Sequence, residues 1–124
     1  MINLLYIFKM FECGHFCIRY VLKKDKKKLN VYYEKQFMSM QLVCNVLKEY
    51  YPNVKCYRVT DLRKLEGKRR FITLLSVGKN RYHYVVVEKI ENGMVFYYDP
   101  AFLFLKKDNL KKFSNKWSHY CCFF

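Results

Sequence analysis

Three segments in the second half of the chain have the composition of β-strands, and their order constrains the fold most. Residues 71–77 (FITLLSV) and 82–90 (YHYVVVEKI) are rich in β-branched and aromatic side chains. Residues 94–100 (MVFYYDP) follow directly after the turn sequence Glu91-Asn92-Gly93. Connections this short join antiparallel neighbours, so the three segments predict an antiparallel sheet.

The first half of the chain has the apolar spacing of helices. From His15 onward, apolar residues recur at helical intervals, and the lysine-rich run at residues 23–28 (KKDKKK) lies where the helix dipole favours cations. A second helix is predicted over about residues 37–50, because Tyr51-Pro52-Asn53 then ends it.

Two shorter helical segments are also predicted. One starts at Thr60 or Asp61, ends at Gly67 and buries Leu62 and Leu65. The other lies near the C-terminus, where Asp108 is expected to cap a short helix and Trp117 to cover an edge of the core. Helices first and antiparallel strands second indicate an α+β domain, with N-terminal helices packed on the sheet.

Length and composition predict one folded domain over residues 1–124. The chain is 52% hydrophobic and 19% aromatic, which excludes a disordered polypeptide. Its apolar runs fall short of the roughly 20 residues that span a bilayer. The N-terminal sequence MINLLYIF has no basic start and is too short for a signal peptide, so we expect a cytoplasmic protein.

The six cysteines do not follow the spacing of a metal site. Cys13 and Cys17 are four residues apart, Cys44 and Cys56 stand alone, and Cys121 and Cys122 are adjacent. The sequence contains no CxxC pair and no histidines at ligand spacing, so no metal and no cofactor are expected. For an intracellular chain we expect reduced, buried thiols.

The net charge of +14 has two explanations. A positive field attracts nucleic acid, anionic lipid or acidic peptides. A genome that favours Lys, Asn, Tyr and Phe produces the same charge without a function, and the single alanine of the chain, Ala101, fits that reading. Because the run at residues 23–28 contains no aromatic side chains that stack on bases, specific nucleic-acid binding is not expected.

Cys13 and His83 are candidates for nucleophilic catalysis. Cys13 stands at a predicted helix start, where unpaired N–H groups and the helix dipole favour a thiolate. Gly14 follows it and leaves room for a substrate to approach. His83 lies in a predicted strand, and Asp99 ends the next one. For each residue alone a structural role is the simpler reading: a buried thiol, a strand histidine and an Asp-Pro turn.

The loop between the two strands decides whether His83 and Asp99 share a face of the sheet. With a two-residue loop, Asp99 pairs with Val86, and the two side chains lie on opposite faces. With a three-residue loop ending at Gly93, Asp99 pairs with Val85, and His83 becomes a diagonal neighbour on the same face. The catalytic hypothesis therefore requires the second register.

Taken together, these motifs resemble the papain-like cysteine peptidases that remove double-glycine leader peptides from bacteriocin and related secreted precursors. The family pattern is an Asp/Glu-Cys-Gly segment with a second cysteine four residues on, then a histidine strand and an Asp-Pro strand end. This sequence has ECGHFC at residues 12–17, YHYVVVEKI at 82–90 and FYYDPA at 96–101. Phe113 and Trp117 also resemble the ending of the family.

The resemblance implies a papain-like fold and assigns roles to single residues. Cys13 would be the nucleophile, His83 the general base and acid, and Asp99 the carboxylate that orients it. Glu12 and Gly14 would shape the turn and support the oxyanion, and Cys17 would face the core. The implied partners are a precursor with a double-glycine leader and an ABC exporter, at whose cytoplasmic side such domains usually lie.

One position departs from the family pattern. Family members have a glutamine six residues before the cysteine, where its amide stabilises the oxyanion, and here that residue is Ile7. Losing one oxyanion donor costs about 100- to 1000-fold in rate. Asn3 or Lys9 is an alternative donor without the expected spacing. The sequence therefore leaves a second hypothesis, a peptidase-like module that binds leader peptides or docks on a transporter without cutting.

Overall fold

The computed structural model describes residues 12–35, 38–79, 81–102 and 104–124. The positions of Ile7, Asn3 and Lys9 lie outside these residues. Within these described residues, three α-helices, a 3₁₀ helix and six strands form in the order α1 (Cys13–Lys24), α2 (Met40–Lys48), β1 (Lys55–Arg58), 3₁₀ helix (Leu62–Leu65), β2 (Phe71–Gly78), β3 (Arg81–Glu91), β4 (Met94–Asp99), β5 (Phe104–Asn109), α3 (Leu110–Ser114) and β6 (Trp117–Phe123).

The described strands form one six-stranded sheet with the order β1-β6-β2-β3-β4-β5. Every neighbouring pair is antiparallel, as predicted for the central strands. Helices α1 and α2 contribute to one apolar cluster with Tyr84 and Val86 of β3. A second cluster contains Val85 and Val87 of the same strand. Because side chains alternate along a strand, β3 supplies both clusters, and the predicted α+β class is confirmed.

The predicted helices form with small changes at their ends. Helix α1 begins at Cys13, with lysines in its last turn. Helix α2 begins at Met40, and Ser39 caps it by accepting a hydrogen bond from the Leu42 N–H at 3.1 Å. Its expected start at residue 37 lies outside the described residues. The third helical segment is a 3₁₀ helix that buries Leu62 and Leu65.

The capping role predicted for Asp108 is wrong. Asn109 caps α3 instead, because its Oδ1 accepts from the Lys112 N–H at 2.8 Å. The Asp108 side chain is buried and accepts a hydrogen bond from the Tyr97 hydroxyl at 2.7 Å. Asp108, one residue before the cap, therefore makes its hydrogen bond in the protein interior and not at the helix end. Trp117 is buried, as predicted, and its Nε1 donates to Thr73 Oγ1 at 2.8 Å.

Three strands, β1, β5 and β6, were not predicted. Strands β1 and β5 are the edges of the sheet, and their sequences KCYR and FLKKDN are largely solvent-exposed and lack the alternating pattern. Strand β6 contains His119 with φ of 73°, a conformation that strand propensity does not anticipate. Edge strands carry little of the hydrophobic signal from which strands are recognised.

The β3–β4 hairpin has a two-residue turn. Asn92 and Gly93 have φ values of 52° and 74°, and Glu91 pairs with Met94 across them. Positive φ at both central residues is the type I′ geometry that an Asn-Gly turn favours. This register alone would place His83 and Asp99 on opposite faces.

A bulge in the middle of β3 changes the register. The pairing of β3 with β4 shifts by one residue between Val87 and Lys89. On the side of the shift away from the turn, Val86 pairs with Tyr98. Continuing this register by one residue places Asp99 opposite residue 85, which is the arrangement that the catalytic hypothesis requires. The same-face register therefore arises from a bulge and not from a three-residue loop.

The expectation of reduced thiols is wrong for one pair. The structure joins Cys44 and Cys56 in a disulfide with a Cα–Cα distance of 6.6 Å. Cys13, Cys17, Cys121 and Cys122 are free and buried. Sequence spacing gave no signal for this pair, because it joins a helix to an edge strand.

None of the described helices is long and apolar enough to cross a membrane.

Candidate active site

Cys13 is the first residue of α1, and its thiol lies against strand β3. The side chain is buried, with 6% exposure, and its Sγ accepts a hydrogen bond from the Tyr84 backbone N–H at 3.2 Å. This contact joins the start of α1 to the residue that follows His83. The fold therefore brings the candidate nucleophile to the strand that carries the candidate base.

Burial raises the pKa of the Cys13 thiol above its ordinary value of 9.0. Backbone N–H groups of Tyr84, Gly14 and Cys13 itself act in the opposite direction, and the Asp99 carboxylate adds to the rise. The N–H groups at the helix start do what the sequence predicts, but desolvation outweighs them. In this conformation the resting cysteine is a neutral thiol.

His83 and Asp99 form a buried pair. His83 Nε2 lies 3.2 Å from Asp99 Oδ2, and the two residues are 8% and 2% exposed. A carboxylate accepts a hydrogen bond from Nε2–H, so the pair favours the tautomer in which Nδ1 is unprotonated. Nδ1 is then the ring nitrogen that can take a proton.

The two oxygens of Asp99 have different partners. Oδ2 faces His83, whereas Oδ1 accepts a hydrogen bond from the Ala101 N–H at 3.0 Å within the turn that ends β4. Lys106 of β5 places its Nζ 3.9 Å from Oδ2. One oxygen of Asp99 therefore serves the turn, and the other faces the His83 ring.

The pKa of Asp99 is below its ordinary value of 3.8. Burial alone would raise it, but the hydrogen bond and charge of His83, the Ala101 N–H and the Lys106 ammonium lower it further than burial raises it. Asp99 is consequently ionised at neutral pH, which suits an acceptor for the imidazole N–H.

Cys13 and His83 are close in the fold but not bonded to each other. In the part of the chain that the structure describes, no hydrogen bond joins Cys13 Sγ to the His83 ring; the sulfur bonds to the backbone of Tyr84 instead. The sulfur accepts from the Tyr84 N–H, and this contact leaves the thiol proton free to be donated to a base. Two of the three predicted catalytic residues are in direct contact, and the third contacts the neighbouring backbone.

The space beside Gly14 is filled by the protein. A Cβ at this position would lie 3.2 Å from Met38 Sδ and 3.2 Å from Tyr84 Cδ2. Gly14 therefore permits close packing of α1 on β3, and the expectation that it keeps a path open for substrate is wrong at this spot. The Tyr84 hydroxyl donates to the Met38 carbonyl at 2.7 Å and so fixes the same contact.

Glu12 and Cys17 have the positions that the sequence indicated. Glu12 occupies the N-cap position of α1 without a capping bond from its side chain, and its carbonyl accepts from the Phe16 N–H at 3.0 Å. Cys17 is fully buried, with 0% exposure, and packs in the same apolar cluster as Cys13. Cys17 is therefore a core residue.

Sequence reasoning missed two residues that contact the site, Tyr84 and Lys106. Tyr84 had a detectable signal, since it is adjacent to the candidate histidine in a predicted strand. Lys106 had no detectable signal. The sequence does not identify β5 as a strand, and nothing in it distinguishes this lysine from the other residues among the 24 Lys and Arg.

One group of described residues has the geometry to hold a metal ion. It consists of Cys44, Cys56 and Cys122, whose sulfurs all lie within 4.8 Å of one another. The group includes none of the three candidate catalytic residues.

Comparison with solved structures identifies domains of the same fold. The peptidase domain of Streptococcus ComA, a bifunctional ABC transporter of a quorum-sensing pathway, matches with a TM-score of 0.72 at 18% identity, covering 91% of this chain and 90% of that chain. A double-glycine motif protease from an AMS/PCAT transporter, solved with its leader peptide, matches with a TM-score of 0.70 at 19% identity, covering 98% and 85%. The peptidase domain of Streptococcus mutans ComA gives 0.65 at 15%, covering 99% and 93%.

No curated protein matches the sequence. The sequence model of the peptidase C39 family matches residues 4–124, a range that includes the cysteine, the histidine strand and the Asp-Pro turn. With nearly the whole length matched in sequence and the fold shared with peptidase domains of transporters, the chain belongs to the peptidase C39 family.

Proposed function

We propose that this protein is a cysteine endopeptidase that cleaves leader peptides after a double-glycine-type site in secreted, bacteriocin-like precursors. The observation that carries the proposal is the buried His83–Asp99 pair, with 3.2 Å between Nε2 and Oδ2. His83 lies in β3, the strand whose Tyr84 N–H donates to the Cys13 sulfur. Membership of the C39 family supports the reaction class.

In the proposed mechanism, Asp99 holds His83 in the Nε2–H tautomer. His83 Nδ1 accepts the Cys13 thiol proton, and the Tyr84 N–H that already donates to the sulfur helps to stabilise the thiolate. The thiolate attacks the scissile carbonyl, the imidazolium donates its proton to the leaving amine, and an acyl-enzyme forms. His83 then deprotonates a water molecule that hydrolyses the thioester and restores the thiol.

The oxyanion of this reaction needs donors near the start of α1. The Cys13 backbone N–H points from a helix N-terminus, where the macrodipole adds positive potential. Ile7 offers no amide, so the backbone donor carries more of the stabilisation than in family members with glutamine. We therefore expect a slow enzyme.

A basic groove of about 650 Å³ along α1 supports capture of a peptide. Its aromatic floor is the stacked pair of Tyr20 and Tyr98, with ring centroids 4.0 Å apart. The cations that line it are Arg19, Lys23, Lys26, Lys27 and Lys28. An amphipathic leader with acidic residues would match both features, with apolar side chains on the rings and carboxylates beside the lysines.

The proposed setting is the cytoplasmic side of an ABC exporter. The solved relatives of this fold are peptidase domains of such transporters, and one was solved with a leader peptide. By this analogy of fold the precursor would be cleaved before or during its export, with the ATP-binding and membrane parts supplied outside residues 1–124.

The second candidate is a module that binds leaders without cutting them. It is favoured by the thiol of Cys13, which is neutral at rest and bonded to Tyr84, and by Ile7 at the oxyanion position. Under this alternative, the His83–Asp99 pair would be a structural remnant of a catalytic site.

Incubation of the purified protein with a synthetic double-glycine leader peptide tests the proposal. Cleavage directly after the Gly-Gly pair by wild type, its loss in Cys13→Ala and its retention in Cys121→Ser are the expected results. Cys121 is a matched control because it is also a buried free thiol. Equal cleavage by wild type and Cys13→Ala, or none by wild type, would defeat the peptidase proposal.

Ile7→Gln separates the two candidates. A peptidase with a weakened oxyanion site should gain about 10- to 1000-fold in kcat on restoration of the amide, starting from measurable activity. Activity that exists only in the Ile7→Gln variant would assign the natural protein to the binding module, with leader affinity measured by fluorescence anisotropy as the check.

A further inference from the structure

Three cysteine sulfurs converge where α2 meets strands β1 and β6. Cys44 of α2 is in a disulfide with Cys56 of β1, and the Cys122 sulfur of β6 lies 3.1 Å from the Cys44 sulfur. Cys56 and Cys122 are directly opposite each other in the β1–β6 ladder. Each of the three sulfurs is thus a neighbour of the other two, within 4.8 Å.

The accessibility of the three residues differs. Cys44 and Cys122 are buried, with 2% and 0% exposure, whereas Cys56 belongs to an edge strand whose residues are all exposed. Only one end of the cluster is therefore within reach of a thiol or disulfide in solution.

We propose that Cys44, Cys56 and Cys122 form a thiol–disulfide exchange centre, in which Cys44 pairs either with the exposed Cys56 or with the buried Cys122. Burial raises the pKa of Cys122 to about 12, so its thiol must first lose a proton. The Cys122 sulfur then attacks Cys44 Sγ, a Cys44–Cys122 bond forms, and the Cys44–Cys56 bond breaks. Cys56 leaves as a thiolate and takes up the proton that Cys122 released, so no external oxidant or reductant is consumed.

The exchange changes what the disulfide joins. In one form it links α2 to the edge strand β1, and in the other it links α2 to β6 and leaves a free thiol on the exposed edge. That thiol is the site at which a low-molecular-weight disulfide or a protein thiol partner would react. In the cytoplasmic setting proposed above, disulfides are usually transient or redox-sensing, which fits a centre with two pairings.

The geometry favours exchange over a structural zinc site. Four ligands surround a structural zinc, and thiolates at 2.3 Å from the metal lie roughly 3.8 Å apart in a tetrahedron. Here the Cys44 and Cys122 sulfurs are closer, at 3.1 Å, and the group within the described residues supplies three ligands. A contact this short between a thiol and a disulfide sulfur is the arrangement that exchange needs.

Disulfide mapping by mass spectrometry after an acid quench tests the centre without any peptidase assay. Cys56→Ser should form a Cys44–Cys122 disulfide on oxidation with a small-molecule disulfide, and Cys122→Ser should retain only Cys44–Cys56. Cys121→Ser is the matched control, because Cys121 is adjacent to Cys122 but its sulfur lies 3.7 Å from Thr73 Oγ1 in the other apolar cluster.

Maleimide labelling of Cys56 measures the exchange itself. Wild type and Cys121→Ser should label at Cys56 at least about ten times faster than Cys122→Ser, because only Cys122 releases that thiol. Equal labelling in all three proteins, absence of a Cys44–Cys122 bond in Cys56→Ser, or one equivalent of tightly bound zinc that depends on all three cysteines would overturn the proposal.

Discussion

Asp99 and Asp108 are two buried carboxylates on neighbouring strands, with 2% and 5% exposure. In both, burial raises the pKa, and hydrogen bonds and nearby cations lower it by more, so that each lies below the ordinary 3.8. The two residues are both buried, and their pKa values are shifted in the same direction. Neither property alone identifies the functional one.

Their partners distinguish them. Asp108 accepts from the Tyr97 hydroxyl at 2.7 Å and pairs with Lys116 at 2.9 Å. Burial and the Asp108 carboxylate raise the pKa of Tyr97 above its ordinary value. Asp99 faces the imidazole of His83, a side chain that can accept a proton on one ring nitrogen while the other donates a hydrogen bond. The imidazole partner makes Asp99 the candidate for a role in proton transfer, whereas the contacts of Asp108 link it to the fold.

The largest expected difference between the two carboxylates is in catalysis. Asp99→Ala should lower kcat/KM on a double-glycine leader peptide by about 10²- to 10⁴-fold, because His83 loses the acceptor that sets its tautomer. Asp108→Ala should stay within about threefold of wild type at a temperature where it is folded. Steady-state cleavage assays on both variants measure this; comparable losses in the two would erase the distinction.

For the free energy of unfolding, we expect the opposite order: Asp108→Ala should have the larger effect and Asp99→Ala the smaller one. Asp108→Ala leaves Lys116 and the buried Tyr97 hydroxyl without their acceptor, so we expect it to lower the free energy of unfolding by about 2–4 kcal/mol. Asp99→Ala should cost about 1–2 kcal/mol, because it removes the hydrogen bonds to His83 and to the Ala101 N–H. Urea denaturation followed by circular dichroism gives both values, and a larger loss for Asp99→Ala would contradict the assignment.

Acid should reduce the stability contribution of each carboxylate. Since the folded-state pKa of each is below the unfolded value, each stabilises the fold above the unfolded pKa and loses that contribution as the pH falls through the folded pKa. The difference in melting temperature between wild type and Asp108→Asn should therefore narrow from about pH 5 to about pH 2.5. A constant difference over that range would show that charge is not what Asp108 contributes.

The smallest effect is expected at Lys106. Its Nζ lies 3.9 Å from Asp99 Oδ2, and the side chain is 30% exposed, so solvent screens the pair. Lys106→Met should change kcat/KM by less than about threefold and leave the unfolding midpoint nearly unchanged. A loss as large as that of Asp99→Ala would make Lys106 part of the charge balance of the site.

The central part of this fold was predictable from sequence, and its edges were not. The helix from Cys13 and the strands around His83 and Asp99 have strong periodic signals because they are buried on one or both faces. The exposed strands β1 and β5 have weak signals. Because β5 is not recognisable from the sequence, the contact of Lys106 with Asp99 could not be predicted either.

The details that bring the candidate site together were also beyond sequence patterns. The bulge between Val87 and Lys89 sets the register of Asp99, and a one-residue shift cannot be read from a run of apolar residues. Tyr97 donates a hydrogen bond to Asp108, and Met38 packs beside Gly14. Both are tertiary contacts, which sequence patterns do not reveal. Residue types and order identified the candidates, whereas register and packing decided their roles.

The tautomer of His83 tests the central claim most directly. Two-dimensional ¹⁵N–¹H NMR of the histidine rings, with His83 assigned through His83→Gln, distinguishes a protonated Nε2 from a protonated Nδ1. We predict that neutral His83 carries its proton on Nε2, that Asp99→Ala shifts this tautomer, and that Asp108→Ala leaves it unchanged. A proton on Nδ1 in the wild type, or the same tautomer in all three proteins, would contradict the role assigned to Asp99.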